Sequence, residues 1–174
     1  MEIKLKNIKI NDSFSEETTC FTADIYADGK KVGTAKNDGH GGDTWCRPLY
    51  SEDDNVNHAQ RKLFELVEIY CKTLPDRTVQ LHEDREPFTY SMNLETVVDD
   101  LLAEHLDEKF KKKMVKDMEK GVIYGDSQRY HMIYWKGTTI SALLENPTGK
   151  ARIMKVIEDI ESLGQTILNT NIPR

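Results

Sequence analysis

No run in these 174 residues approaches the roughly 18 consecutive apolar residues that a membrane-spanning helix needs. Cysteine is scarce. Cys20, Cys46 and Cys71 are odd in number and far apart, with no C-x-x-C pair. That fits free thiols in a reducing compartment better than a disulfide framework or a zinc site. Excess positive charge is missing too: 24 Lys and Arg stand against 30 Asp and Glu, a net charge of -6. A protein that coats nucleic acid through bulk charge is thereby excluded. The start, Met1-Glu2-Ile3-Lys4-Leu5-Lys6, alternates charge with apolar side chains and lacks the apolar core of a secretion signal, so it reads as a strand. A soluble, cytoplasmic protein is expected. Three catalytic signatures are lacking as well. No serine sits in G-x-S-x-G, Gly149-Lys150 is followed by Ala151 where a P-loop needs Ser or Thr, and no EF-hand spacing occurs.

What is present begins with alternation. Ile3, Leu5, Ile8 and Ile10 alternate with polar residues, with a slip at Lys6-Asn7 that reads as a bulge. Between Thr18 and Ala27, Phe21, Ala23, Ile25 and Ala27 share one face. Asp28-Gly29 follows as a two-residue type I′ turn, and Lys31 to Asn37 returns. The first 37 residues therefore predict a three-stranded antiparallel meander. Its third strand leads into Asn37-Asp38-Gly39-His40-Gly41-Gly42-Asp43, read as a flexible surface loop leaving the meander.

Ser51 is the expected cap of a helix with Val56, Ala59, Leu63, Val67 and Tyr70 inward, ending at Leu74-Pro75. A short extended piece, Thr78 to His82, leads into a polar loop over Glu83 to Pro87. Asn93 then caps a long helix whose inner face carries Leu94, Val98, Leu102, His105, Met114 and Met118. Acids crowd its start and lysines its end, which complements the helix dipole, and Gly121 stands where a C′ glycine belongs. Val122–Tyr124 and Tyr130–Lys136 flank Gly125-Asp126-Ser127-Gln128 as a second hairpin. Thr139 to Leu144 is apolar and ambiguous. Asn146-Pro147 opens a last helix with Ile153, Val156, Ile157, Ile160 and Leu163 as its stripe, closed by Gly164. The expected fold is α+β: an antiparallel sheet, made of the meander and the C-terminal hairpin, covered by about three helices. Residues 1–164 form one domain in this reading and 165–174 a tail.

Three constellations carry chemistry. The glycine loop offers Asp38, His40 and Asp43, with His58 in reach for a metal, or an anion nest of successive backbone N–H groups. The plain alternative is a connection whose glycines only turn the chain. Cys46 precedes Arg47, a neighbour that lowers a thiol pKa; the plainer reading is a half-buried thiol. The stretch Lys109 to Lys120 holds six lysines, among them Lys109, Lys111, Lys112, Lys113 and Lys116, against Asp117 and Glu119. It reads as a solvated helix end or as a contact for RNA or an acidic protein face. Tyr130, Tyr134 and Trp135 with Arg129 form an aromatic, cationic strand fit for stacking RNA bases. Both of its faces are apolar, so a central strand covered on each side predicts the same pattern. No cofactor and no resident metal are expected.

Phe21 to Gly42 (FTADIYADGKKVGTAKNDGHGG) and the end, Ile167-Leu168-Asn169-Thr170-Asn171, resemble small accessory proteins encoded by phages and mobile elements of Bacteroidetes. The resemblance implies an anti-defence role of the anti-CRISPR kind and supplies no catalytic residue. The leading expectation is a non-enzymatic binding protein in the host cytoplasm that inhibits a defence nuclease, such as a CRISPR effector, or its guide RNA. Two alternatives stay open. One is a small nucleotide- or metal-dependent enzyme built on Asn37–Asp43, and the other a single-stranded RNA-binding protein.

Overall fold

The structure, a computed structural model, describes residues 1–80, 86–126 and 129–173. Most of the expected polar loop after Val79, and Ser127-Gln128 of the second hairpin turn, lie outside the described residues. The fold is α+β, and the chain divides into two compact units, Met1–His105 and Leu106–Arg174, rather than one domain with a tail.

In the first unit, β1 (Ile3–Ile10), β2 (Phe21–Ala27), β3 (Lys30–Asn37) and β4 (Trp45–Pro48) form an antiparallel sheet in sequential order. Phe21, Ala23, Ile25 and Ala27 are buried, as their period of two requires. Asp28 and Gly29 take φ of 47° and 80°, the left-handed pair of a type I′ turn. The slip in β1 is a real irregularity: register shifts between Lys6 and Lys9, and Asn7 has φ of 52°. The meander has four strands and not three, because Trp45–Pro48 pairs with Gly33–Lys36. Four residues with exposed Trp45 at their start carry too little alternation to announce a strand; the pairing with β3 creates it.

Helix α1 (Asp54–Cys71) packs on β3 and β4. Its cap is Asp53, whose carboxylate accepts from the N–H groups of Asn55 and Val56, while the expected cap Ser51 only holds the Asp53 N–H. Its buried face is Phe64, Val67 and Cys71; Val56 and Ala59, expected inside, are exposed. Gly33 explains the seat. A Cβ there would run into the Phe64 ring and the Arg47 carbonyl, so a side chain is excluded where helix and sheet meet. Two short strands, β5 (Arg77–Val79) and β6 (Phe88–Tyr90), pair antiparallel.

Helix α2 (Leu94–Met118) starts as expected. Asn93 accepts from the Thr96 N–H at 2.8 Å, and the Thr96 hydroxyl accepts from the Asn93 N–H at 2.9 Å, a reciprocal cap. Leu94, Val98, Leu102 and Met118 are buried, whereas His105 is exposed. The division between the units falls within this helix.

In the second unit, β7 (Gly121–Gly125) and β8 (Tyr130–Tyr134) form a hairpin, followed by α3 (Ile140–Leu144) and α4 (Pro147–Ser162). Gly121 does not close α2 as a left-handed cap. It belongs to β7, and a Cβ on it would meet the Ile133 carbonyl. The ambiguous Thr139–Leu144 is a short helix capped by the Thr139 hydroxyl. Asn146 caps α4 with Pro147 in its first turn, and Ile153, Ile157 and Ile160 are buried; Leu163, expected in that stripe, is 77% exposed. The expected tail is packed. Ile167 and Ile172 join the apolar cluster of Val122, Ile140, Ile153 and Ile157, and buried Asn169 ties the segment to the end of α2 and to β7.

Candidate functional site

The glycine loop joins β3 to β4, so it is the inner turn of the sheet and not its exit. Asn37 organises it. Its side-chain oxygen accepts from the Thr18 hydroxyl at 2.8 Å and the Gly39 N–H at 2.9 Å, and its amide nitrogen donates to the Gly42 carbonyl at 3.2 Å. The Gly39 carbonyl accepts from the N–H groups of Glu16, Glu17 and Thr18. Buried backbone groups are thus satisfied within the turn, and the loop is cross-braced where flexibility was expected. Its charged side chains diverge. Asp38 pairs with Lys36 at 2.7 Å and His40 with Glu16 at 3.2 Å, all of them largely exposed. His58 lies exposed on α1. Among the described residues no three His, Cys, Asp or Glu side chains come together as a metal site would need.

Asp43 leads elsewhere. It follows the turn, next to buried Thr44, whose hydroxyl donates to the Asp99 carboxylate at 2.5 Å. Glu95 and Asp99 are one turn apart at the start of α2, and Glu68 comes from α1. Desolvation raises the Glu95 carboxyl above its ordinary value, and Asp43, Asp99 and Glu68 raise it further. Asp99 is raised chiefly by desolvation, then by Asp100 and Asp43, with the Thr44 hydroxyl pulling the other way. The neighbouring charges acting on Glu95 and Asp99 are all carboxylates. Like charges crowded at one place are costly, and such strain marks functional surfaces more often than inert ones. Asp100 points away and pairs with Arg77, as sequence neighbours on a helix do.

The same acids act on Cys46. Burial first, then Glu95, Asp99 and Glu68, push its thiol up to about 12, and burial pushes Cys71 up to about 11. The Arg47 neighbour does not activate Cys46; both thiols stay protonated at neutral pH, the form that attacks poorly.

Asp99 yields a stability test. Its folded pKa lies above the unfolded one, so the folded state holds the proton more tightly and ionised Asp99 weakens the fold at neutral pH. Asp99→Asn keeps an oxygen for Thr44 and removes the charge. Its melting temperature at pH 7 is expected to rise by about 1–2 °C, the scale of a few tenths of a kcal/mol at a surface charge. The gain disappears once pH falls below the ordinary aspartate range, where the native carboxyl is protonated in both states. A variant less stable at pH 7 would show that the charge is compensated.

No family model, curated protein or solved structure matches the chain.

Sequence reasoning missed the acidic group because Asp43, Glu68, Glu95 and Asp99 are spread over 57 positions of chain. Only the spacing of Glu95 and Asp99, four residues apart at a helix start, was a readable signal. Charge is also divided between the units. Met1–His105 carries 21 Asp and Glu against 12 Lys and Arg, whereas Leu106–Arg174 carries 9 against 12.

The lysine stretch lies on the second unit's part of α2. Lys111 and Lys112 are occupied by Asp107 and Glu108 at i,i+4 spacing. Lys109, Lys113 and Lys116 stand four and three residues apart on one exposed helix stripe, and among the described residues no ion pair engages them. The aromatic strand is divided. Tyr130 meets the edge of Phe110 at 5.3 Å between ring centres and donates its hydroxyl to Asp117 at 2.8 Å. Burial, then Asp117, push its phenol up to about 12. Trp135 packs on the apolar cluster, and Tyr134 alone of the three is largely exposed. The strand is no doubly covered centre: β8 is a sheet edge, with exposed His131, Ile133 and Tyr134, while β7 takes the buried place. Arg129 begins the exposed end of this strand.

Proposed function

We propose that the protein is a non-enzymatic binding protein, encoded by a phage or mobile element, that inhibits a host defence nuclease in the host cytoplasm. Its acidic first unit occupies a basic cleft that otherwise takes guide or target RNA. The observation that carries this reading is the group Asp43, Glu68, Glu95 and Asp99, whose charges raise one another on a unit with 21 acids. A cationic cleft relieves that repulsion on binding, and long-range attraction speeds the encounter. The test is guided RNA cleavage by a purified RNA-targeting CRISPR effector, titrated with the native chain and with Asp43→Asn, Glu95→Gln, Asp99→Asn combined. The native chain inhibits, and the triple variant needs at least about tenfold more protein at low salt, given that charge pairs at such interfaces contribute on the order of 1.5 kcal/mol or more each. The gap narrows as salt screens the pairs. Equal inhibition by both proteins would remove the acidic group from the reading, and no inhibition of any effector tried would remove the target class.

A second reading, single-stranded RNA binding by the C-terminal unit, is favoured by the unpaired Lys109, Lys113 and Lys116 stripe and by exposed Tyr134. It requires a binding constant for labelled oligouridine that falls steeply with salt, with a slope reduced by roughly one for each lysine replaced.

A further inference from the structure

The hairpin of the second unit has two edges, and only one is used. On β7, the Gly125 N–H donates to the Thr166 carbonyl and the Ile123 carbonyl accepts from the Leu168 N–H, each at 2.9 Å. Those groups therefore face away from β8 and are covered by the C-terminal segment. Tyr130 and Met132 stand opposite Gly125 and Ile123. In an antiparallel ladder, directly opposed residues share one orientation, so Tyr130 and Met132 turn their own N–H and C=O groups away from β7. Tyr134 follows by the period of two. Among the described residues no strand pairs with that outer edge. Natural sheets shield such edges or use them.

The edge is flanked by side chains of a definite kind. Ile133 is 38%, Tyr134 63% and Leu163 77% exposed. Ile133, Tyr124, Val156, Ile160 and Leu163 line a largely apolar cleft of about 180 Å³, large enough for one aliphatic side chain. Arg129, His131 and Lys136 are exposed along and beyond β8, in a unit where cations outnumber acids. Pairing of β8 with a second copy of itself about Met132 would bring Lys136 of one chain beside Arg129 of the other, and like charges across strands destabilise.

We propose that the outer edge of β8 takes up an extended acidic segment of a protein partner as an added strand. Its backbone pairs with Tyr130, Met132 and Tyr134. An apolar residue of the segment fills the cleft at Ile133 and Leu163, and its carboxylates meet Arg129 and Lys136. Main-chain pairing supplies affinity in this mode, and the cleft and charges supply selectivity. This surface is independent of the acidic group on the first unit.

The experiment uses the full chain and two labelled peptides, one alternating valine with glutamate and one alternating valine with lysine, followed by fluorescence anisotropy. The glutamate peptide binds, and the lysine peptide binds at least about tenfold more weakly. Met132→Pro removes an outward N–H from an edge strand, where proline is tolerated, and loses binding while the circular dichroism spectrum is kept. Should that variant misfold, Arg129→Glu with Lys136→Glu, both exposed, decides: the preference between the peptides reverses. Equal binding of the two peptides, no binding of either, or full binding by folded Met132→Pro overturns the proposal. A concentration-dependent dimer in ultracentrifugation that Met132→Pro abolishes also overturns it, by assigning the edge to a second copy.

Discussion

Replacing Asn169 with alanine should cost the C-terminal unit about 3 kcal/mol, because one side chain satisfies buried backbone on two elements. Its oxygen accepts from the Ile123 N–H at 2.6 Å, and its amide nitrogen donates to the carbonyls of Gly121 at 3.1 Å and Met118 at 3.3 Å. Alanine leaves a buried N–H without an acceptor in the middle of β7, where water does not reach. It also loosens the segment that delivers Ile167 and Ile172 to the core. For a unit of this size the melting temperature should fall by roughly 10 °C or more. Asn171→Ala is the control. Its amide only doubles the contact to the Met118 carbonyl at 3.0 Å, so about 1 kcal/mol is expected. Urea unfolding of both variants measures the contrast, and a loss at Asn169 no larger than at Asn171 would mean that the segment is held by its isoleucines alone.

The second large effect is expected at Gly39, and it separates two ways in which a glycine is required. Gly39 and Gly42 both sit in the left-handed region, at φ of 89° and 94°. Alanine at Gly42 meets nothing within 4 Å and pays only the backbone cost, about 1 kcal/mol. Alanine at Gly39 pays the same cost and also drives its Cβ onto the Phe14 carbonyl and to 2.8 Å from the Cys20 Cβ. The turn must move, and with it the Gly39 carbonyl that three N–H groups share. A total of about 3 kcal/mol is expected, from strain plus overpacking. Equal melting temperatures for Gly39→Ala and Gly42→Ala would show that the turn yields without loss.

These two positions also show where sequence reading succeeds and where it stops. Glycine at residues 39, 41 and 42 announced a turn with positive φ, and the turn is there. That it is the closed connection of two paired strands depended on β4, whose register with β3 is set by the preceding strand. The caps tell the same story. Asn93 and Asn146 act within three residues of themselves and were legible. Ser51 and Asp53 are both competent caps two residues apart, and which one serves is decided where α1 meets the sheet, with Phe64 over Gly33. Leu163 continued the α4 stripe by spacing alone, yet the helix ends around it and leaves it beside the β8 edge.

By itself, the sequence determined the local features. The period of two in Phe21–Ala27, the Asp28-Gly29 turn, the capped starts of α2 and α4 and the α+β class all follow from neighbours within about one turn or one strand. Tertiary structure alone decided the rest. It recruited β4, buried the supposed tail through Asn169, gave β7 the inside and β8 the edge, and gathered four carboxylates from a loop and two helices. The reason is physical: alternation and helical period report which side chains share a face, but not which face another element covers. That choice rests on contacts made across tens of residues, and both proposed binding surfaces arise from it.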